Sequence, residues 1–341
     1  MQGFSPAGQL LSLITGYWIS QAVCVAAELG IADLLDKRGR PIDDLALATN
    51  SNPDALYRLM RALAASGVFA EAAPREFKLT PMGALLKRDM PGNLREFSRF
   101  QGDGWHWNSW GALGESVRNG RPARLPCGSG SKLAANCFDY LATQPESAAI
   151  FNAAMTGYTT QVHAAIAENY DFGTARVVMD LGGGHGALLA LLLDEHPQLR
   201  GVLFDRESVV AGAPRTFAEF GVADRSQVVA GDFFSAVPQG ADIMLLCAVI
   251  HDWDDEQAAS ILRSVVKALP ADGRVLIVEN VIPEGNEAHP GKLIDLEMLL
   301  MTGGRERTQR EFEVLLGVAG LRIERVISTA VSISIIEARP V

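Results

Sequence analysis

His251 closes the apolar run Ile243 to Ile250 and opens the acidic stretch Asp252-Trp253-Asp254-Asp255-Glu256. An imidazole titrates near neutrality, so at the end of a strand it is suited to take a proton from a substrate hydroxyl. The same position also suits a residue that simply precedes an acidic helix, and the segment alone leaves both readings open. Asp252 shares that ambiguity, as a neighbour of the base or as a helix cap.

A second group of residues points to a nucleoside cofactor. Asp180-Leu181-Gly182-Gly183-Gly184-His185-Gly186 lies between a strand pattern and a helical one. Glycines there let the backbone adopt positive φ and approach a ligand closely, and the helix amides beyond can meet a negative group. Asp205 ends the next strand, where a carboxylate can accept hydrogen bonds from both ribose hydroxyls. Gly182, Gly184 and Ala187 also satisfy a G-x-G-x-x-A fingerprint, and an acidic residue about twenty positions later fits NAD, so the loop does not choose between cofactors.

Gly231-Asp232-Phe233 closes the third strand, where a carboxylate can bond an adenine amino group and a ring can flank the base. The plainer reading makes Asp232 a turn residue and Phe233 core. Asp180, Asp205 and Asp232 nevertheless stand at three successive strand ends. That suits a cationic, amino-acid-bearing cofactor better than a pyrophosphate, with Asp180 orienting the loop or meeting the ammonium.

The elements that carry these residues alternate. Val177-Val178-Met179, Val202-Leu203-Phe204, Val228-Val229, Ile243 to Leu246 and Val275 to Val278 read as strands, with helical patterns such as Leu188 to Glu195 and Gln257 to Leu269 between them. Strands and helices at this spacing imply a parallel sheet covered on both faces. Leu321 to Ile327 and Val331 to Ala338 alternate apolar and polar residues around Ser328-Thr329-Ala330, which predicts a terminal antiparallel hairpin.

The first half is mostly helical in pattern. Asp43-Asp44 opens a short helix, and Asn52-Pro53-Asp54 caps a second that carries Leu56, Leu59, Met60, Leu63 and Ala64 on one face and ends at Gly67. Val68-Phe69 and Phe77 to Leu79 flank a Pro-containing turn like a small β-wing. Helix, turn, helix and wing form a winged-helix pattern, for which DNA binding is one reading. Only Arg58 and Arg61 offer basic contacts, and the formal net charge of -10 argues against nucleic acid. A dimerisation module is the favoured reading.

The 341 residues are 48% hydrophobic and 21% charged, a globular composition with room for two domains. Cys24, Cys127, Cys137 and Cys247 show no paired or metal-ligand spacing, as expected for a reducing cytoplasm. The apolar segment Leu10 to Leu29 is interrupted by Ser12, Gly16, Ser20, Gln21 and Glu28, so it reads as a buried helix rather than a membrane span. It is more apolar than a surface helix should be, which predicts a homodimer. His185 reads as a loop side chain, and His106 as part of a packed aromatic cluster or of a substrate pocket.

With these motifs in view, the chain resembles the small-molecule S-adenosylmethionine (SAM)-dependent O-methyltransferases, which include plant caffeic acid, hydroxyindole and bacterial natural-product enzymes. The matching pieces run in order: Asp180 to Gly186, Phe204-Asp205, Gly231-Asp232-Phe233, His251 to Glu256, Gly303-Gly304-Arg305-Glu306-Arg307-Thr308 and Glu311-Phe312. The resemblance covers essentially the whole chain. It implies an α/β fold: a doubly wound, Rossmann-like SAM-binding domain (166–341) with the terminal hairpin, preceded by a winged-helix-like dimerisation domain (1–100) and a helical, substrate-lining linker (101–165).

Carried over by position, the resemblance makes His251 the base, flanked by Glu279 and Glu306, which hold its ring and tautomer, with Asp252 assisting. Asp180, Gly182, Gly184, Asp205, Gly231, Asp232 and Phe233 would surround SAM. Cys247 stands where many relatives have Lys, Arg or Ser near the adenine edge, which weakens its role to a backbone contact. Phe151, Met155 and Thr159, together with Trp107 and Met298, would line the acceptor. No Asp, Glu and His set has metal-site spacing, so no metal is expected. Relatives that bind SAM yet catalyse hydroxylation or decarboxylation form the alternative, and retention of His251, Glu279 and Glu306 favours methyl transfer. A phenol near 10 facing an ordinary His near 6.5 would make full proton transfer cost about 5 kcal/mol, so the proton is expected to move as attack develops.

Overall fold

The computed structural model describes residues 5–126 and 133–341, and Cys127 lies outside them. The chain forms two compact units, one mainly Met1–Gly111 with Asp139–Thr160, the other mainly Ala112–Pro126 with Gln161–Val341.

In the first unit, helices Ile42–Ala48 and Pro53–Ala65 form as the sequence predicts. Asn52 accepts the Ala55 N–H at 3.0 Å, Pro53 fits the first turn, and Leu56, Met60 and Leu63 are buried. The wing pairs β2 (Phe69–Ala73) with β3 (Glu76–Leu79). A two-residue strand, β1 (Arg40–Pro41), adds to the outer side of β3; it is too short for any periodicity to reveal.

The segment predicted to be one buried helix is neither single nor buried. It forms helices Pro6–Ile14 and Gly16–Glu28, broken at Thr15, whose amide and hydroxyl both bond to the Leu11 carbonyl. Cys24, Ala26 and Ala27 pack inward, whereas Leu10, Leu11, Leu13, Ile14, Tyr17 and Trp18 are all more than half exposed. One chain supplies neighbours for only the inner face. Pro6–Glu28 is also the one stretch among the described residues that is long and apolar enough to cross a membrane.

The second unit is built on a seven-stranded sheet: β4 (Val177–Leu181), β5 (Arg200–Asp205), β6 (Ser226–Ala230), β7 (Ile243–Cys247), β8 (Arg274–Glu279), β9 (Leu321–Ser328) and β10 (Ser334–Pro340). The order is β6-β5-β4-β7-β8-β10-β9; the first five strands are parallel, and β10 pairs antiparallel with both β8 and β9. Alternate residues feed opposite faces. Met179, Met244, Leu246, Val275 and Ile277 join one core, and Val178, Ile243, Leu245, Leu276 and Val278 the other. This two-sided burial explains the near-continuous apolar strands.

Two boundaries differ from expectation. The run from Ile243 leaves the sheet at Cys247 rather than continuing to Ile250, because Ala248 takes φ 53° and the next three amides turn to a carboxylate. The last strand begins at Ser334 rather than Val331, because the Thr329 hydroxyl holds the Val331 and Ile333 carbonyls in the turn. Strand order reverses beside β4, so the carboxyl ends of β4 and β7 border the crevice where α/β sheets bind ligands.

Candidate active site

Asp180, Asp205 and Cys247 stand at or next to the carboxyl ends of β4, β5 and β7, and Asp232 follows β6. Gly182, Gly184 and Gly186 all have positive φ, between 62° and 77°. Gly184 donates its amide to Asp205 Oδ2 at 3.0 Å, which ties the glycine loop to the neighbouring strand. A Cβ on Gly182 would lie 2.8 Å from Val249 Cγ2 and 3.9 Å from a Phe233 ring carbon, whereas one on Gly184 would meet nothing. Gly231 donates to the Asp205 carbonyl, and the Asp232 carboxylate caps its own turn by accepting the Phe234 N–H at 2.9 Å. The plainer role for Asp232 is therefore present. Phe233 packs edge-on to Phe234 and Trp253.

Asp180 is the outlier in this group. It is 1% exposed, and neither carboxylate oxygen has a hydrogen-bond partner. Burial, then the nearby Asp205, pushes its carboxyl up to about 7. A buried acid without donors is costly unless a cationic or donor-bearing ligand completes it. The residues therefore fit a cofactor that carries a positive charge. Burial raises the Cys247 thiol well above its usual value, with Asp180 and Glu279 adding to the effect, so it is no thiolate ligand.

The second cluster is held by the turn after β7. Glu279, the last residue of β8, accepts the amides of Val249, Ile250 and His251 on Oε1 at 3.1, 2.9 and 3.3 Å. These bonds curl Ile250–Asp252 into a single 3₁₀ turn. His251 Nδ1 lies 2.9 Å from Glu306 Oε1 and 3.2 Å from Glu279 Oε2, and Nε2 is 4.0 Å from Asp252 Oδ1. All four residues named from the sequence are thus brought together. The helix beyond is capped by Asp254, which accepts the Gln257 amide at 2.8 Å, so neither His251 nor Asp252 serves as its cap.

A strap formed by Gly303 to Arg307 holds the turn from the other side. Arg305 N–H donates to the His251 carbonyl at 2.8 Å, and a Cβ on Gly304 would overlap that carbonyl. The buried Arg307 guanidinium donates to the carbonyls of Ile250 and Trp253 at 3.2 and 2.9 Å and to Asp255 Oδ1 at 2.9 Å. Arg307, Asn280 and Asp295 are absent from the sequence-based site. Asn280 donates to Glu306 Oε1, and Asp295 Oδ1 accepts the Glu306 amide. Asn280 and Arg307 carry only the signal of adjacency to the acids, which does not reveal where a side chain points, and Asp295 stands eleven residues from Glu306.

Burial disfavours a charged imidazole, but Glu279, Glu306 and Asp252 outweigh it and raise His251 to about 10. Burial raises Glu279 to about 7 against the opposing pull of His251, and raises Asp252 to about 6. Among the described residues, His251, Glu279 and Glu306 are also the one set whose ligand atoms lie within 4.8 Å of one another, a convergence hidden from sequence spacing. In this structure Nδ1 is hydrogen-bonded to Glu306 Oε1, with Glu279 Oε2 at ion-pair distance.

A protein-family profile described as the O-methyltransferase domain matches residues 110–322, and one described as the O-methyltransferase dimerisation domain matches 11–89. The chain belongs to the O-methyltransferase family. It is 42% identical over 332 residues to the phenazine O-methyltransferase PhzM of Lysobacter antibioticus, covering 97% of this chain and 96% of that protein. It is 38% identical to the O-demethylpuromycin-O-methyltransferase of Streptomyces alboniger, covering 99% and 90%. Among solved structures, an O-methyltransferase from neocarzinostatin biosynthesis, in complex with SAM and 2-hydroxy-5-methyl naphthoic acid, superposes with a TM-score of 0.79 at 33% identity, covering 95% and 96%. The enzyme is a SAM-dependent O-methyltransferase, and the NAD reading of the glycine loop gives way.

The residues named for the acceptor are distributed. Phe151, Met155 and Thr159 lie on helix Pro145–Asn169 and Trp107 on Gly104–Gly111, in the first unit; Met298 lies on Gly291–Met301 in the second. Phe151 packs against Phe100 with ring centres 5.4 Å apart, and the Thr159 hydroxyl is bound to the Met155 carbonyl. His106 is buried with its ring 4.3 Å from that of Phe100, so it is a member of the packed aromatic cluster.

Proposed function

We propose that this methyltransferase modifies a phenolic hydroxyl of a small aromatic natural product, with His251 as general base. The observation that carries this is the His251 ring held at Nδ1 by two buried carboxylates, so that in the neutral ring Nε2 is the nitrogen that can take a substrate proton. Bound SAM supplies an electrophilic methyl group for in-line attack by the acceptor oxygen. The protein's part is to manage the proton and the charge.

The raised His251 value changes the energetics expected from sequence. At about 10 the imidazolium matches an ordinary phenol, so once the ring has given up its Nε2 proton, transfer from the acceptor to Nε2 costs almost nothing, and below about 10 that first deprotonation is the cost. Imidazolium with phenolate and imidazole with phenol become nearly isoenergetic. Glu279 fixes the turn, Glu306 and Glu279 stabilise the positive ring, and Asp252 beside Nε2 adds to that stabilisation. No step here needs a metal ion.

For the cofactor, Gly182 and Gly184 would allow close backbone approach, Asp205 would hold the ribose, Asp232 and Phe233 with the Gly231 turn would flank the adenine, and Asp180 would answer the ammonium. Cys247 would contribute backbone contact. Phe151, Met155, Thr159, Trp107 and Met298 would line the aromatic acceptor. The exposed apolar residues of Pro6–Ile14 and Gly16–Tyr17-Trp18 would be covered by a second copy, giving a cytoplasmic homodimer; the match to a dimerisation domain supports this.

Incubation with methyl-labelled SAM and a panel of phenols and hydroxylated polycyclic aromatics tests the reading. Label should appear as an aryl methyl ether. Label transferred only to nitrogen or carbon acceptors would overturn it.

A further inference from the structure

Two carboxylates face one imidazole nitrogen, but the single hydrogen on Nδ1 can be given fully to only one of them. Glu279 already spends Oε1 on three backbone amides, and its Oε2 has no hydrogen-bond partner. Glu306 differs. Its Oε1, the oxygen nearest Nδ1, also accepts the Asn280 side-chain amide at 3.0 Å. Asn280 and Glu306 are 5% and 3% exposed, so this bond forms away from water.

The backbone places the pair. Val281 and Arg307 form an isolated parallel bridge, and Ile282 N–H donates to the Arg307 carbonyl at 3.0 Å. The residues just before the bridge partners, Asn280 and Glu306, are thereby neighbours. The Glu306 amide is tied to Asp295 Oδ1 at 2.9 Å, so Glu306 is held by its backbone on one side and its carboxylate on the other. The amide must point its nitrogen at Glu306, since the reverse orientation would set two buried oxygens against each other.

We propose that Asn280 is a positioning residue for the methyl-transfer reaction: by donating to Glu306 Oε1 it makes Glu306, rather than Glu279, the acceptor of His251 Nδ1–H, so that the neutral ring holds its proton on Nδ1 and turns Nε2 to the substrate. A carboxylate oxygen that receives a second hydrogen bond is fixed in rotamer, which an orienting acceptor needs. Glu279 is left to anchor the turn. The inference rests on His251 acting as the base.

The test needs no acceptor at its first step. In wild-type enzyme the His251 ring N–H should give a downfield proton resonance, assigned by its loss in H251A. Asn280→Leu, of similar size but without a donor, should lose or strongly shift that signal while S-adenosylhomocysteine still binds with wild-type affinity. An unchanged signal in N280L would overturn the proposal. Turnover of a phenol methylated by the wild type then gives a coupling. N280L and N280A should each lower kcat about tenfold with KM for the phenol unchanged, and should add less than about twofold once Glu306→Gln is present. Equal losses in both backgrounds would overturn the inference and leave His251 as base untouched. Wild-type kcat in both H251A and E306Q would instead overturn the underlying mechanism. Loss of S-adenosylhomocysteine binding in both Asn280 variants would assign the residue to the fold and overturn the proposal.

Discussion

Glu279 grips His251 twice, accepting its backbone amide on Oε1 at 3.3 Å and facing its ring Nδ1 with Oε2 at 3.2 Å. Backbone and ring are thus fixed by one buried side chain from the neighbouring strand. Glu306 reaches the ring only.

This difference separates the two acids experimentally. Glu279→Ala leaves three backbone amides without their acceptor and should cost roughly 3 kcal/mol of stability as well as activity. Glu306→Gln should lower kcat about tenfold or more with a much smaller change in denaturant midpoint. Chemical denaturation and turnover on the same preparations check this. Equal destabilisation by both would contradict the division of labour.

His251→Ala should retain S-adenosylhomocysteine affinity, because no loop or strand-end residue of the cofactor site depends on the ring. Turnover should fall by about two to four orders of magnitude. Calorimetry and initial rates measure the two quantities separately, and near-normal turnover would place the base elsewhere.

Much of this was legible in the sequence because strand ends and glycine turns are local signals. The alternation of apolar runs from Val177 to Val278 with helical patterns marks the sheet, and the Asp residues at strand termini mark its carboxyl edge. The turn at Val249 to His251 was not legible. An apolar run reads as strand until something competes for its amides, and the competitor, Glu279, lies thirty residues away in a different strand. Asn280 and Arg307 escaped for the same reason: their partners are set by the Val281–Arg307 bridge, a long-range contact. The exposure of Leu10 to Trp18 escaped because apolar composition says that a face is to be covered, not by which chain.

Asp180 should couple cofactor binding to pH. Its carboxyl is raised from 3.8 to about 7, so its contribution to folded stability is complete below 3.8 and is lost as pH rises through about 7. A ligand ammonium restores what ionisation costs. The thermal stabilisation by S-adenosylhomocysteine should therefore be larger at about pH 8 than at about pH 6, and Asp180→Asn should remove the difference. A shift independent of pH in wild-type enzyme would refute the assignment.

The apolar face at the start of the chain should hold two copies together. Leu13 is 74% and Trp18 62% exposed, and burying such side chains contributes about 1.5–3 kcal/mol each. Leu13→Glu combined with Trp18→Glu should convert a dimer to a monomer in sedimentation velocity while the second unit keeps its cofactor affinity. Wild-type enzyme that sediments as a monomer would sink the prediction.

The pH–rate profile gives the sharpest check on the base. His251 is raised from 6.5 to about 10, so its own contribution to folded stability is fully present below 6.5 and is lost as pH rises through about 10. Activity runs the other way. At neutral pH the ring is imidazolium and an ordinary phenol is neutral, so reaction requires removal of one proton from the pair. The logarithm of kcat/KM should therefore climb with a slope near one from about 7, where Glu279 titrates, towards about 10. An acceptor acidified by ring substituents should reach its plateau earlier, because it arrives as phenolate and pairs directly with the charged ring. A plateau already reached near 6.5 with an unactivated phenol would mean that the two glutamates do not raise His251, and that its proton is exchanged as in an ordinary solvent-exposed histidine.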